Sequence, residues 1–304
     1  MSQPSRAILI FCKVNNIDFE EIKIDISKRQ HLSPEFQEIN PMGQVPAIVD
    51  GRFKLFESHA ILIYLACAFP GVADHWYPAD LFKRAKINSV LDWHHSNLRR
   101  GAASFVLNTA LAPALGLPLN PQAAAEAEKV LSASLAKIES FWLKGNGRFL
   151  LGSFQPSIAD LSLVCEIMQL EVLDEEDRNR ILGPHKKVQQ WIEDTKNATR
   201  PHFDEMHALL FKARERLQKL RLVGANSSRS ISTERELAPV GDHRVPMVSP
   251  GGVDPVLCTD HFLELGPDFV ATLASLDMQN LRHSQWNCRE RELQTEDGSE
   301  SDSE

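Results

Sequence analysis

The spacing of apolar residues changes several times within residues 1–73, which is typical of a unit that mixes helices and strands. Apolar side chains recur at helical spacing between Ser2 and Asn15. Alternation over residues 19–26 then predicts a half-buried strand, and Ser33 followed directly by Pro34 predicts the start of a second helix. The predicted order to this point is helix, strand, helix.

A hairpin and a third helix complete this unit. Two short apolar runs flank Asp50-Gly51, a dipeptide typical of two-residue turns between antiparallel strands. Apolar residues then return to helical spacing after Glu57-Ser58, so we expect a helix that begins there. The pattern therefore predicts an α/β domain over residues 1–73.

From residue 79 onward the pattern is helical, and it predicts an all-α domain over residues 79–221. Within it, Ser157 precedes Asp160 by three positions and stands before an apolar run, which predicts a capping box that starts a core helix. We assign this box no chemistry. Residues 222–304 are rich in Ser, Pro, Gly and charge, and we expect a largely disordered extension there.

Composition excludes several classes of protein. With 33 basic and 41 acidic residues, a net charge of -8 gives no strong nucleic-acid signal, because phosphate binding needs an excess of Lys and Arg. No apolar run approaches the roughly 18 residues of a membrane span. The five cysteines show no CxxC or Cys/His spacing, so we expect neither disulfides nor a metal site. These features predict a cytoplasmic protein, with the nucleus as the second compartment considered.

Two segments of the α/β domain favour ligand binding through backbone groups. The turn at Ser2 opens a helix, where free amides can collect an anion. Pro46 follows Val45 at the beginning of a strand and is interpreted either as a turn proline or as a cis proline. In the second case Gln44 and Val45 would turn their backbone outward, where an extended peptide could pair with Val45.

Three further groups of polar residues each allow a structural and a functional interpretation. Glu57 and Ser58 either cap a helix or hold the ammonium and carboxylate groups of a zwitterion. His31, in a loop, is either solvated or part of a site if other contacts converge beside it. The adjacent histidines and arginines of residues 94–100 point to different faces of one helix, so they predict no metal site, although one arginine can face a cleft.

Taken together, these motifs resemble the theta class of soluble glutathione transferases, particularly its plant members. The motif SQPSRA resembles the active-site turn of that class, residues 40–65 its ligand-binding loop, hairpin and helix, ADHWYPAD its domain junction, and PSIADLS the folding box of its second domain. The likeness spans residues 1 to about 220. It implies the glutathione transferase fold, in which a thioredoxin-like α/β domain precedes an all-α domain. Relatives carry a strand ahead of the SQPSR turn, so we expect an N-terminally shortened domain that lacks the first strand.

The resemblance also implies roles for individual residues. It implies that Ser2 is the catalytic residue, whose hydroxyl hydrogen-bonds the glutathione sulfur, and that Arg99 faces the cleft for the second substrate. The other glutathione contacts come from residues that hold the cysteinyl backbone, the γ-glutamyl end and the glycyl carboxylate: Gln3, Gln44, Val45, Glu57, Ser58, His31 and Leu32. The position of Leu32 is often basic in relatives.

The implied activity is conjugation of the glutathione thiolate to small apolar electrophiles in detoxification, together with glutathione-dependent reduction of organic hydroperoxides. Glutathione would be a co-substrate, no cofactor would be bound permanently, and the protein would be a homodimer. Only a few per cent of a thiol with a pKa of about 8.5 is ionised at neutral pH, so a hydroxyl donor and a helix N-terminus would supply the missing stabilisation. A non-catalytic ligand-binding protein is the main alternative. A thiol oxidoreductase is less well supported, because no cysteine lies in the Ser2 turn.

Overall fold

The computed structural model describes residues 2–235 except Ser27 and Gly116, with side chains described only as far as residue 219 and not for residues 114 and 115. The predicted extension therefore lies outside the described residues from position 236 onward. The α/β part contains a two-stranded antiparallel sheet among the described residues, and helices form the rest. Its elements are α1 (Gln3–Val14), α2 (Pro34–Gln37), β1 (Ala47–Asp50), β2 (Phe53–Phe56) and α3 (Ser58–Ala68).

The helical part begins at Leu81 and continues to the end of the described chain. Its α-helices are α4 (Leu81–His94), α5 (Arg100–Val106), α6 (Pro121–Lys137), α7 (Ile158–Ile167), α8 (Glu175–Leu182), α9 (Lys186–Ala198) and α10 (His202–Arg235). Single π-helical turns extend α4, α5 and α6 at His95–Arg99, Leu107–Leu111 and Ile138–Trp142. Helix α10 continues beyond residue 221, where the sequence pattern placed the end of the domain.

Local signals in the sequence account for several element boundaries. Ser33 accepts a hydrogen bond from the Phe36 amide at the start of α2, as predicted. In the hairpin, Asp50 pairs with Phe53, and Gly51 adopts a φ of +58° that favours glycine. Each of these features depends on residues no more than three positions apart, so the chain encodes it locally.

The strand predicted over residues 19–26 is not formed, which corrects the interpretation of that alternating segment. Phe19 is 39% and Ile22 73% exposed, although the alternation had assigned both to a buried face. Among the described residues, no second strand pairs with this segment. Because a strand is stabilised by hydrogen bonds to a neighbour, alternation without a partner does not produce one.

Helix α7 lies at the centre of the molecule, and every one of its ten residues is buried. The predicted capping box is present, since Asp160 accepts hydrogen bonds from the amide and hydroxyl of Ser157 at 2.8 and 2.7 Å. Helix α1 packs against α7, so the N-terminal part and the helical part share one hydrophobic core. This packing brings the first turn of α1 against the middle of the helical domain. Among the described residues, no helix is both long and apolar enough to cross a bilayer.

Candidate functional site

The N-terminus of α1 presents a buried serine at a helix start. Ser2 is the N-cap of α1 and only 1% exposed, and its Oγ lies 2.7 Å from the Oγ of Ser5 and accepts a long hydrogen bond from the Ser5 amide. Pro4 occupies the first turn, which contains no acidic residue. The positive end of the helix dipole is therefore not neutralised within its own turn, which suits an anion beside Ser2.

A loop before β1 forms a second part of the site. Asn40 is buried, and its side-chain amide donates to the Gln44 carbonyl at 2.7 Å. Gly43 has a φ of +61°, and a Cβ there would lie 3.2 Å from the carbonyl oxygen of His31. The peptide bond between Val45 and Pro46 is cis. The loop therefore holds Gln44 and Val45, both half-buried, beside the turn that carries His31.

His31 is 9% exposed, so the interpretation of a merely solvated histidine is wrong. Its Nδ1 has no hydrogen-bond partner among the described residues. Burial and the charge of Arg29 lower the pKa of His31, which therefore presents a neutral imidazole at pH 7. Leu32, 39% exposed, lies against Gly43, where its Cδ2 would be 2.9 Å from an added Cβ.

Glu57 and Ser58 lie where β2 meets α3. Glu57 has a φ of +69°, a left-handed conformation that costs a non-glycine residue about 1–3 kcal/mol and often marks a functional turn. Its side chain makes no capping hydrogen bond to α3, so the capping interpretation of Glu57 is wrong. Glu57 is exposed, and Ser58 is half-buried at the first position of the helix, so a ligand can reach both side chains.

Behind these turns lies a buried polar cluster that joins the two parts of the molecule. The Gln3 side-chain amide donates to Glu166 Oε1 at 3.2 Å, and Arg99 donates to Glu166 Oε2 at 2.8 Å. His94 Nε2 lies 3.5 Å from Glu166 Oε2, and His94 Nδ1 lies 3.1 Å from His59 Nε2. Glu166 itself is completely buried. Arg99 therefore binds a carboxylate in the interior, and its predicted contact with a second substrate stays a prediction.

The sequence patterns do not indicate several residues of the candidate site. Asn40, His59 and Glu166 were not singled out, although all three are buried polar residues in contact with a predicted site segment. The only signal available was a charged residue among apolar neighbours, as Glu166 is in the second half of α7. The sequence pattern indicates no contact between His94 and a carboxylate, and the described residues contain no group of three or more suitable side chains that could hold a metal ion.

His59 in this cluster and His95, whose ring centroid lies 4.3 Å from that of His59, predict a loss of stability at mildly acidic pH. Burial, with the charges of His94 and Arg99, lowers the pKa of His95 to about 4, although Glu166 acts in the opposite direction. Burial also lowers the pKa of His59 well below its usual value. Between pH 6.5 and 4 the unfolded chain therefore binds protons that the folded chain does not. We expect His95 alone to reduce the free energy of unfolding by about 2 kcal/mol between pH 7 and 5.

Urea unfolding at pH 7 and pH 5 measures this loss. The variant His95→Gln should lose the part of the pH dependence of unfolding free energy that His95 contributes. The control His202→Gln removes a more exposed histidine beside Glu205 and should keep that contribution. If the free energy of unfolding fell by the same amount between pH 7 and pH 5 in the parent and in His95→Gln, the assignment would be contradicted.

Comparison with known proteins places the chain in a defined group. Family models for the N-terminal and C-terminal domains of glutathione S-transferases match residues 2–67 and 121–194. Glutathione S-transferase T1 of Arabidopsis thaliana is 70% identical over 234 residues, which are 77% of this chain and 96% of that protein. Glutathione S-transferase T2 of the same plant is 72% identical over 221 residues, which are 73% of this chain but 37% of that longer protein. A crystal structure of human glutathione transferase theta-2, in complex with glutathione and an unknown ligand, superimposes with a TM-score of 0.65 at 33% identity, covering 72% of this chain and 87% of that one.

Proposed function

The chain belongs to the theta class of glutathione S-transferases of the plant type, and from this premise we propose how its residues conjugate glutathione to small electrophiles. The glutathione transferase fold expected from the sequence motifs is confirmed by the two family models and the related structure. The activity is conjugation of glutathione, and the assignment of each residue within it is our proposal. The single observation that carries this assignment is the position of Ser2 as a buried N-cap at the unneutralised end of α1.

In this mechanism Ser2 stabilises a thiolate and does not itself become a nucleophile. Its hydroxyl rotates from Ser5 to donate to the glutathione sulfur, and the dipole of α1 adds to the stabilisation. The thiol proton leaves to solvent before the reaction. The thiolate then forms a carbon–sulfur bond with the electrophile, and a leaving group such as halide departs with the electron pair.

Glutathione would be held along its length by the loop before β1, the start of α3 and the turn that carries His31. We propose that the outward backbone of Val45 pairs with the cysteinyl residue as a short added strand, in the position that Asn40 fixes through Gln44. Ser58, at the first position of α3, meets the γ-glutamyl carboxylate while Glu57 meets the ammonium group. The neutral His31, with Nδ1 unbonded among the described residues, lies beside Gly43 and hydrogen-bonds the glycyl carboxylate.

The same thiolate supports glutathione-dependent reduction of organic hydroperoxides. It attacks the terminal peroxide oxygen, the oxygen–oxygen bond breaks, and the alcohol leaves after taking up a proton. A second glutathione then displaces water from the resulting sulfenic acid to give glutathione disulfide. No base beyond the bound thiolate is needed, so this activity depends on Ser2 as conjugation does.

Replacing Ser2 with alanine tests the assignment. We expect kcat/KM for glutathione with an alkyl halide to fall by about 100-fold, because a preorganised donor to a developing anion is lost. The pKa of the bound thiol, measured from thiolate absorbance in the ultraviolet, should rise by at least one unit. Ser89→Ala removes an exposed hydroxyl on α4 and serves as the matched control. Equal activity of Ser2→Ala and the parent would remove the proposed role.

Three properties expected from the sequence stay predictions: the apolar nature of the electrophile, the homodimer and the cytoplasmic location. Light scattering of the purified protein tests the dimer directly. A panel of alkyl halides of increasing chain length tests the electrophile, since an apolar cleft should lower KM as methylene groups are added. Imaging of the tagged chain in cells tests the location.

A further inference from the structure

The buried polar cluster forms a continuous path between the two turns that are proposed to hold glutathione. Gln3 follows Ser2 in the first turn, and His59 follows Ser58 in the second. Between Gln3 and His59 lie two residues of the helical part, Glu166 on α7 and His94 at the end of α4. Each side chain along this path is at most 8% exposed, so solvent does not compete for its contacts.

The protonation states of these groups determine which atom donates and which accepts in each contact along the path. Although burial opposes ionisation of Glu166, Arg99 and His94 outweigh it and lower the pKa of that carboxyl overall. Burial lowers the pKa of His59 well below its usual range, so His59 is neutral at pH 7. His94 Nε2 lies 3.5 Å from Glu166 Oε2 in an electrostatic contact and not a hydrogen bond, and because a carboxylate only accepts, this contact favours the proton of His94 on Nε2. His94 Nδ1 then accepts from His59 Nε2–H, and the path ends on Glu166 from both sides.

We propose that Glu166, His94 and His59 act as a positioning chain that sets the Ser2–Gln3 turn relative to the Glu57–Ser58 turn. The proposal rests on the function proposed above, because the two turns matter together only if one glutathione molecule spans them. None of the three residues needs to touch glutathione. Their effect is to hold the thiol beside Ser2 while the γ-glutamyl end is bound at Ser58, and errors of about 1 Å in such a distance are costly to catalysis.

The chemistry of the chain favours positioning over simple stabilisation. A buried ion pair contributes little net stability compared with apolar residues of the same volume, because desolvation offsets most of the attraction. What it does supply is a fixed geometry, since each hydrogen bond restricts distance and angle together. Gln3 and Arg99 each donate a hydrogen bond to Glu166, and His94 adds an electrostatic contact at 3.5 Å, so the carboxylate has a defined placement between α1 and the end of α4.

Variants of His94 break the chain at one link at a time. His94→Gln places an amide near the former Nε2 and keeps the contact to Glu166, whereas His94→Asn places one near the former Nδ1 and keeps the contact to His59. His94→Leu removes both contacts. If the chain acts as a unit, all three should raise KM for glutathione by a similar factor, about tenfold, and raise the pKa of the bound thiol by about one unit. KM for the alkyl halide should stay within about twofold, since that substrate does not span the two turns.

The control is His185→Gln, which changes another half-buried histidine on a glutamate, Glu139, away from both turns. A chain that only stabilises the fold would lower the melting temperature of the His94 variants yet leave the bound thiol's pKa and KM for glutathione as in the parent, and this result would overturn the proposal. Glu166→Gln, which keeps volume and hydrogen-bonding groups, gives the same readouts if His94→Leu does not fold. Should the proposed function itself be wrong, the parent would show no lowered thiol pKa and no response to Ser2→Ala, so the two failures are distinguishable.

Discussion

Replacing Asp160 with alanine should destabilise the protein by about 3–5 kcal/mol, the loss expected when a buried, fully hydrogen-bonded charge is removed and its donors are left unpaired. Asp160 is completely buried. Besides Ser157, its carboxylate accepts from the Leu150 amide and from the Trp191 indole, each at 2.8 Å. The side chain therefore joins the start of α7, the preceding loop and α9, and all three donor residues are buried away from water.

Asp80 provides the matched control, because it is also an aspartate that caps a helix but is exposed. It accepts from the Phe82 and Lys83 amides at the start of α4. Asp80→Ala should cost about 1 kcal/mol, since water can replace an exposed cap. Urea unfolding followed by circular dichroism measures both variants, and similar losses for the two would show that burial of Asp160 does not matter. Asp160→Asn should fall between them, because one oxygen becomes a donor that faces other donors.

Features that depend on residues close together in the chain could be predicted from the sequence. The Ser2 turn, the Ser33 cap and the Ser157–Asp160 box each join residues three positions apart, and the two-residue turn after Asp50 is equally local. Their energies are decided by the local backbone, so residue type and spacing are sufficient. For the same reason the fold class followed from several such motifs in order.

The features that were missed depend on partners far away in the chain. Gln3 and Glu166 are separated by 163 positions, and Arg99 and Glu166 by 67. No periodicity in either segment indicates which buried carboxylate receives which donor. The segment over residues 19–26 was predicted as a strand that does not form. Its alternating pattern is local, but a strand also needs a distant partner, and among the described residues none pairs with it. The polar chain behind the site could therefore be recognised only once α1, α4 and α7 had been packed together.

Gly101→Ala should also be strongly destabilising, by about 3 kcal/mol, because α5 and α6 approach each other closely at this residue. A Cβ on Gly101 would lie 2.6 Å from the Leu131 nitrogen and 2.8 Å from its Cα. Alanine in a helix is normally about 1 kcal/mol more favourable than glycine. The sign of the change in unfolding free energy therefore shows whether helix propensity or packing dominates at this position. The contact is with backbone atoms, and no rotamer change at Leu131 can relieve it; the two helices must separate, with loss of packing around the buried Leu131.

A second substitution makes this prediction more specific. Trimming the neighbouring side chain in Gly101→Ala/Leu131→Ala should not rescue stability, because the backbone contact remains and a cavity is added, which by itself costs about 2–5 kcal/mol. Gly51→Ala provides the comparison, since a Cβ there meets nothing within 4 Å and only the φ of +58° is strained. We expect that variant to lose about 1 kcal/mol. Thermal unfolding of the four proteins decides the matter, and a Gly101→Ala protein as stable as the parent would mean that α5 and α6 can move apart without cost.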